Sequence, residues 1–419
     1  MKILYINHYA GSPRHGMEFR PYYLAREWVK AGHEVNMLAA DVSHLRQTHP
    51  QVDGKYRDED IDGIRYTWCR TRPYEGNGVG RVLNIFSFLA RVMGLSGRYR
   101  KHWKPDVVIA SSTYPLDTVP AAWIAAKTGA RLVYEVHDLW PLTPVEVGGM
   151  SPKHPFIRLL QWAEDFGYRK ADTVVSMLPC AKDYMVAHGM DPAKYVVIPN
   201  GVDVGEWRGE AEALPAEHRM RLAELKAQGR FLIGYAGGHG LANALDYLLE
   251  AAARLKDAPL SFVLVGDGPD KPALAARAAE LGLDNVMLLP AIAKRAVPGF
   301  LAEMDALFIG WRKLPIYRFG INPNKLFDYL MAGKPVIHSV EAGNDMVKDA
   351  GAGISVGTED PAAIADAARR MAELPLAARE AMGVAGRAYV LEHHDYAVLA
   401  RRFLLAVHVD DAQGRVGKS

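Results

Sequence analysis

Lys325 and Asp328 are the first residues whose types and spacing suggest chemistry. They lie three apart in Phe319-Gly-Ile-Asn-Pro-Asn-Lys-Leu-Phe-Asp-Tyr-Leu-Met-Ala-Gly-Lys-Pro-Val-Ile337, so on a helix they are neighbours. A helix start with free N–H groups and a lysine suits a phosphate. A carboxylate one turn on suits a pair of ribose hydroxyls. A surface ion pair over a core helix fits the same two residues. Gly237, Gly238 and Gly240 lie between a strand and a helix, but Gly237-Gly-His-Gly240 lacks the spaced three-glycine dinucleotide fingerprint. His137 follows another strand, and the adjacent Asp138 could orient its imidazole; a histidine that only packs its loop fits as well. Gly11, Arg14, His15 and Glu18 belong to a loop punctuated by Gly11, Pro13 and Gly16. That loop is compatible with ligand binding and with plain solvation. Asp58-Glu-Asp60 has the spacing of a metal-binding pair, yet Gly54, Asp62 and Gly63 around it read as a polar turn. No metal site is expected.

The elements that must position these residues are legible in the hydrophobic pattern. Around Lys325, Gly320 and Pro323 break the backbone, and Asn322 or Asn324 can cap the helix. Leu326, Phe327, Leu330 and Met331 form its buried face, and Gly333 closes it before the short strand Pro335–Ser339. At the start of the chain, the strand 2–7, a loop, an aromatic-rich helix and the strand 34–39 make a β-loop-α-β unit. Strands and helices then alternate to Ile198. Pro199-Asn-Gly-Val-Asp203 and a polar segment interrupt the alternation, and a second set begins at Phe231. The expected architecture is α/β, with two Rossmann-like doubly wound domains over 1–200 and 201–392. A C-terminal helix and a disordered tail occupy 393–419. A cleft between two such domains is a natural nucleotide and substrate site.

Composition narrows the class. The 419 residues carry a formal net charge of +2, so any basic function must be local. The two cysteines, Cys69 and Cys180, have no metal spacing and fit a reducing, cytoplasmic compartment. The first residues read as a strand and not a signal peptide, and no uncharged stretch is long enough to span a bilayer. Residues 81–104 are strongly apolar, contain six basic residues (Arg81, Arg91, Arg98, Arg100, Lys101, Lys104) and no acid. Such a segment can lie peripherally on the inner face of an anionic membrane; a core-facing helix with a basic edge is the alternative.

Four further motifs complete the pattern. They are Gly32-His-Glu-Val35, Ile198-Pro-Asn-Gly-Val-Asp203, Val265-Gly-Asp-Gly-Pro269 and the stretch around Lys325. In this order the chain resembles a family 4 retaining glycosyltransferase of the GT-B fold from Lys2 to about Phe403. Within that family it resembles bacterial enzymes that build cell-surface polysaccharides on polyprenyl carriers. The resemblance implies a nucleotide-sugar donor, UDP-linked by analogy with the subgroup, held by the second domain. Gly237, Gly238 and Gly240 would approach the diphosphate, Lys325 would neutralise it with Asn324 at the helix start, and Asp328 would accept from the ribose hydroxyls. The first domain would bind a glycan or lipid-linked acceptor through the Gly11, Arg14, His15 and Glu18 loop, with His137 facing the transferred sugar. The last helix would cross back onto the first domain. No cofactor and no metal is implied, and nucleic acid is not an expected partner.

Three positions depart from the family pattern. Gly238 and Asn243 stand where an arginine and a lysine are common, and Gly320 stands for the first of two paired glutamates. Arg312, Lys313 or Arg318 could supply the missing charge, or could be a solvated basic loop; Arg318 is counted with the donor residues. Two other readings stay open. A sugar-nucleotide epimerase would need acids and histidines flanking the sugar carbon, and only His137-Asp138 offers any. A catalytically inactive sugar-nucleotide-binding protein would account for the three departures.

Overall fold

Runs such as Ile3–Ile6 and Val107–Ala110 are apolar at every position, as befits parallel strands covered on both faces. In the computed structural model, which describes residues 1–16, 19–76, 78–209 and 212–408, these runs assemble into two sheets. The first unit comprises residues 1–200 and the helix Tyr396–His408, and the second spans Gly201–Asp395.

The first unit holds β1 (Lys2–Ile6), β2 (Glu34–Ala40), β3 (Tyr56–Ile61), β4 (Ile64–Cys69), β5 (Val107–Ala110), β6 (Arg131–Val136), β7 (Thr173–Ser176) and β8 (Tyr195–Val197). Their order is β3-β4-β2-β1-β5-β6-β7-β8. All neighbours are parallel except β3 and β4. The direction of winding reverses between β1 and β5, so the loops after these strands diverge and open a crevice at their C-terminal ends. The helix Tyr396–His408 packs against Arg20–Lys30: Trp28 is buried against Phe403 and donates its indole N–H to the Ala400 carbonyl at 3.0 Å.

The second unit holds β9 (Phe231–Ala236), β10 (Leu260–Val265), β11 (Val286–Leu289), β12 (Ala306–Gly310), β13 (Val336–Ser339) and β14 (Gly353–Val356). The order β11-β10-β9-β12-β13-β14 is parallel throughout, and its reversal lies between β9 and β12.

Two expectations need correction. Asp58-Glu-Asp60 is not a turn but lies in β3, an exposed edge strand paired antiparallel with β4. The turn is the next two residues: Asp62 and Gly63 both have positive φ, 54° and 80°, as a two-residue hairpin requires. Asp58 is committed to Arg98 and Thr67, and Asp60 accepts from the Gly63 N–H. The chain also returns to the first unit at Tyr396 and not at 393, because Leu376–His393 is one continuous helix of the second unit. The tail expected to be disordered lies outside the described residues.

Candidate functional site

In the second unit the crevice between β9 and β12 gathers the residues singled out by spacing. β9 runs into Gly237–Gly240, and the segment after β12 leads to the helix Asn324–Met331. Leu326, Phe327, Leu330 and Met331 are buried, which fixes the helix and leaves Lys325 on its other side. The Lys325 ammonium donates to the Tyr235 hydroxyl at 3.1 Å and to the Asn243 side-chain carbonyl, and lies over the Tyr235 ring. Burial lowers its pKa from 10.5 to about 8. The expected cap by Asn322 or Asn324 is absent. Pro323 occupies the cap position and makes no side-chain cap, and Asn324 is the exposed first helical residue. The N–H groups of Asn324 and Lys325 have no partner among the described residues and are open to an anion, while that of Leu326 donates to the Pro323 carbonyl.

The glycine loop is held from below by the loop after β10. Gly237 N–H donates to the Val265 carbonyl and His239 N–H to the Asp267 carbonyl. The N–H groups of Gly238 and Gly240 have no partner among the described residues. Tyr235 and Asn243 both donate to the Gly238 carbonyl, at 2.7 and 2.9 Å. Asn243 thus binds Lys325 and the glycine loop together; a lysine there would set a second ammonium against the first. A Cβ on Gly266 would lie 1.8 Å from the Gly237 carbonyl oxygen, so only glycine allows the two loops to meet. His239 is fully buried beneath this junction, its pKa lowered by burial and then by Lys271.

Asp328 lies one turn beyond Lys325. Its Oδ1 accepts from the Trp207 indole N–H at 3.2 Å, and burial raises its pKa from 3.8 to about 6. Gly320, at the place of the family's first glutamate, has φ 106°, a conformation that penalises any side chain. Arg318 is exposed and folds back on its own turn, donating to the Pro315 carbonyl and stacking on Phe319. Arg312 is bound to Asp246 at 2.7 Å and Lys313 to Glu341 at 2.7 Å.

In the first unit, His137 sits just past β6, beside the crevice at β1 and β5. The carboxylate that orients it is Glu135, not Asp138. Residues two apart on a strand share a face, whereas neighbours point to opposite sides. Asp138 is used by its own turn, accepting from the Leu139 N–H and the Thr143 hydroxyl. Glu135 is fully buried, and Tyr5, Arg20 and Ser111 all donate to it. Burial alone would raise its pKa, but the Arg20 guanidinium, followed by His137, outweighs that and holds Glu135 far below the usual carboxylate range. Ser111 gives its one proton to Glu135 at 2.6 Å, so the His137 Nε2 that meets Ser111 Oγ at 2.8 Å must be the donor. In its neutral form the ring carries its proton on Nε2 and presents Nδ1 as an acceptor.

The loop after β1 is not freely solvated. The Gly11 carbonyl accepts from Tyr66, and Arg14 is paired with Glu59 at 3.0 Å. His15 is buried between Ser12 and the Trp68 ring. Glu18 lies outside the described residues. Sequence reasoning missed Tyr235, Trp207, Ser111, Glu135 and Arg20. Of these, Glu135 left a signal: it is a lone acid in an otherwise uncharged run from Leu132 to Val136.

Known proteins share this organisation. A model of the glycosyl transferase 4-like domain matches residues 15–201, and one of the glycosyl transferases group 1 matches residues 230–373. The chain is 26% identical over 324 residues to an Escherichia coli K12 protein assigned to colanic acid biosynthesis as the glycosyl transferase WcaI; the match covers 75% of this chain and 78% of that one. Sucrose-phosphate synthase from Thermosynechococcus elongatus has the same fold, with a TM-score of 0.69 at 16% identity over 98% of this chain and 100% of its own. HepE of Anabaena, solved in complex with UDP, gives a TM-score of 0.67 at 16% identity, covering 98% of this chain and 100% of its own. Both halves are matched in order, each on one of the two sheets, and the chain belongs to the GT-B glycosyltransferases, enzymes that transfer a sugar from a nucleotide-sugar donor.

Proposed function

We propose that the protein is a retaining, metal-independent glycosyltransferase that moves a hexosyl or N-acetylhexosaminyl group from a UDP-sugar to a polyprenyl-linked or other glycan acceptor in cell-surface polysaccharide synthesis. The observation that carries the donor half is Lys325, an ammonium fixed by Tyr235 and Asn243 beside an uncapped helix start and the open N–H groups of Gly238 and Gly240. Fixed donors of this kind stabilise the diphosphate as its charge grows on leaving. The HepE complex with UDP supports the choice of nucleotide, and the assignment of WcaI supports the polysaccharide setting.

The step follows the front-face path of retaining enzymes. The bond from the sugar's anomeric carbon to the diphosphate oxygen breaks, the acceptor oxygen bonds to that carbon on the same face, and its proton passes to the departing phosphate. Lys325 and the loop N–H groups hold the leaving group. Asp328, kept in place by Trp207, accepts from the ribose hydroxyls. His137 offers Nδ1 to a sugar hydroxyl while Glu135 and Ser111 fix its ring. The protein contributes position and electrostatics and no covalent nucleophile.

Thermal unfolding with a panel of nucleoside diphosphates tests the donor reading. A ligand at a hundredfold excess over its Kd adds about 2.7 kcal/mol, an easily measured rise in Tm. UDP should stabilise the wild type and lose most of that effect in Lys325→Ala. No response to any nucleoside diphosphate overturns the reading. With a UDP-sugar and acceptor, NMR of the product should show the donor's anomeric configuration retained, and EDTA should leave the rate unchanged.

A further inference from the structure

We infer that one helical layer of the first unit docks on an anionic lipid surface. The helix Val79–Arg98 continues as a wider turn, Tyr99–Trp103. One side of it is buried in the unit through Ile85, Phe88, Val92, Leu95 and Tyr99. A second apolar stripe faces solvent at helical spacing: Val79 is 75% exposed, Leu83 40%, Phe86 43% and Met93 38%. The core needs one apolar side of a helix, and this helix has two.

The stripe does not stand alone. The helix Thr118–Thr128 packs between Val79–Trp103 and the helix Pro155–Lys170, making one layer. Its Trp123 is 49% exposed with the Lys127 ammonium 4.9 Å above the ring, and Trp162 on Pro155–Lys170 is also 49% exposed. Tryptophan at a surface beside lysine suits the boundary between headgroups and acyl chains.

Charge selects the occupant. Arg100, Lys101 and Lys104 are exposed at the end of the helix and form no ion pair among the described residues. Residues 79–104 contain no acid, so a second copy of this stretch could not answer these charges. Anionic headgroups answer them, and the apolar stripe then enters the layer beneath. Arg98 is not part of this set, because it is paired with Asp58 at 2.7 Å and stacks on Tyr56. The surface is separate from the residues assigned to donor and acceptor.

Co-sedimentation of the full chain with phosphatidylcholine vesicles, with and without phosphatidylglycerol, tests the inference. The wild type should pellet with the anionic vesicles and release as salt is raised. Arg100→Glu, Lys101→Glu and Lys104→Glu together should weaken this on the order of a hundredfold. Leu83→Ser, Phe86→Ser and Met93→Ser should weaken it independently. All six positions are exposed, so both variants should keep the wild-type Tm and its response to nucleotide, which separates failure here from failure of the donor reading. Absence of wild-type pelleting, or pelleting unchanged by both variants, overturns the inference. So does a dimer, seen by light scattering, that the serine variant dissolves while vesicles bind neither protein.

Discussion

Lys325 is buried enough to lower its pKa to about 8, and that sets a pH dependence. Only the ammonium form serves a diphosphate. Nucleotide affinity in the free enzyme should therefore fall as pH rises through about 8, and Lys325→Arg should move the fall to higher pH. Titration calorimetry between neutral and alkaline pH checks this; an unchanged profile in the arginine variant would remove Lys325 from the site. Asp328 links pH to stability. Its pKa is raised from 3.8 to about 6, so between these values the folded state holds more proton than the unfolded one. Stability associated with it is present at low pH and lost as pH rises through about 6. Asp328→Asn keeps an oxygen for Trp207 and removes the buried charge. It should raise stability by about 1–2 kcal/mol at neutral pH, add nothing near pH 4, and weaken UDP binding. Lys325 and Asp328 were legible because one helix sets their spacing. Tyr235, 90 residues away in sequence, and Trp207, 121 away, were not, because tertiary packing brings them in. Asp138 misled because adjacency in sequence is not adjacency across a strand; Glu135, two residues back, shares the face of His137.

At the scale of elements, the junction of the loops after β9 and β10 is the most demanding part of the second unit. Gly266→Ala places a Cβ on the Gly237 carbonyl, and Gly268→Ala places one 2.4 Å from the His239 carbonyl oxygen. Each should cost about 3 kcal/mol or more and abolish the thermal response to UDP. Gly240→Ala meets nothing within 4 Å and should change stability by less than about 1 kcal/mol. Urea midpoints of the three variants decide the matter, and equal values would contradict the interlock. The alternation of strand, loop and helix was readable because parallel strands covered on both faces are continuous apolar runs. β3 was not, because an edge strand exposed to water carries charges in place of that pattern. Its only clear sequence signal was Asp62-Gly63, whose hairpin geometry depends on the strand being there.

At the scale of the molecule, the chain makes the first unit from both its beginning and its end. Tyr396, Leu399, Ala400, Phe403 and Val407 all belong to the core around Trp28. Burial of a large apolar side chain is worth about 1.5–3 kcal/mol, so ending the chain at Asp395 should remove most of the first unit's stability. Calorimetry should then show the first unit's transition lost while the second still unfolds cooperatively and responds to UDP; loss of both transitions would mean the second unit cannot stand alone. Val202 pairs with Asp395, and its N–H donates to the His394 carbonyl at 2.9 Å, so the segment enters and leaves the second unit at neighbouring points. Residues 201–395 are thus an exchangeable cassette spliced into an otherwise complete partner. A relative's insert could replace it between Asn200 and Tyr396, so on the donor and acceptor roles proposed above, the choice of sugar and the choice of recipient would be separate inheritances.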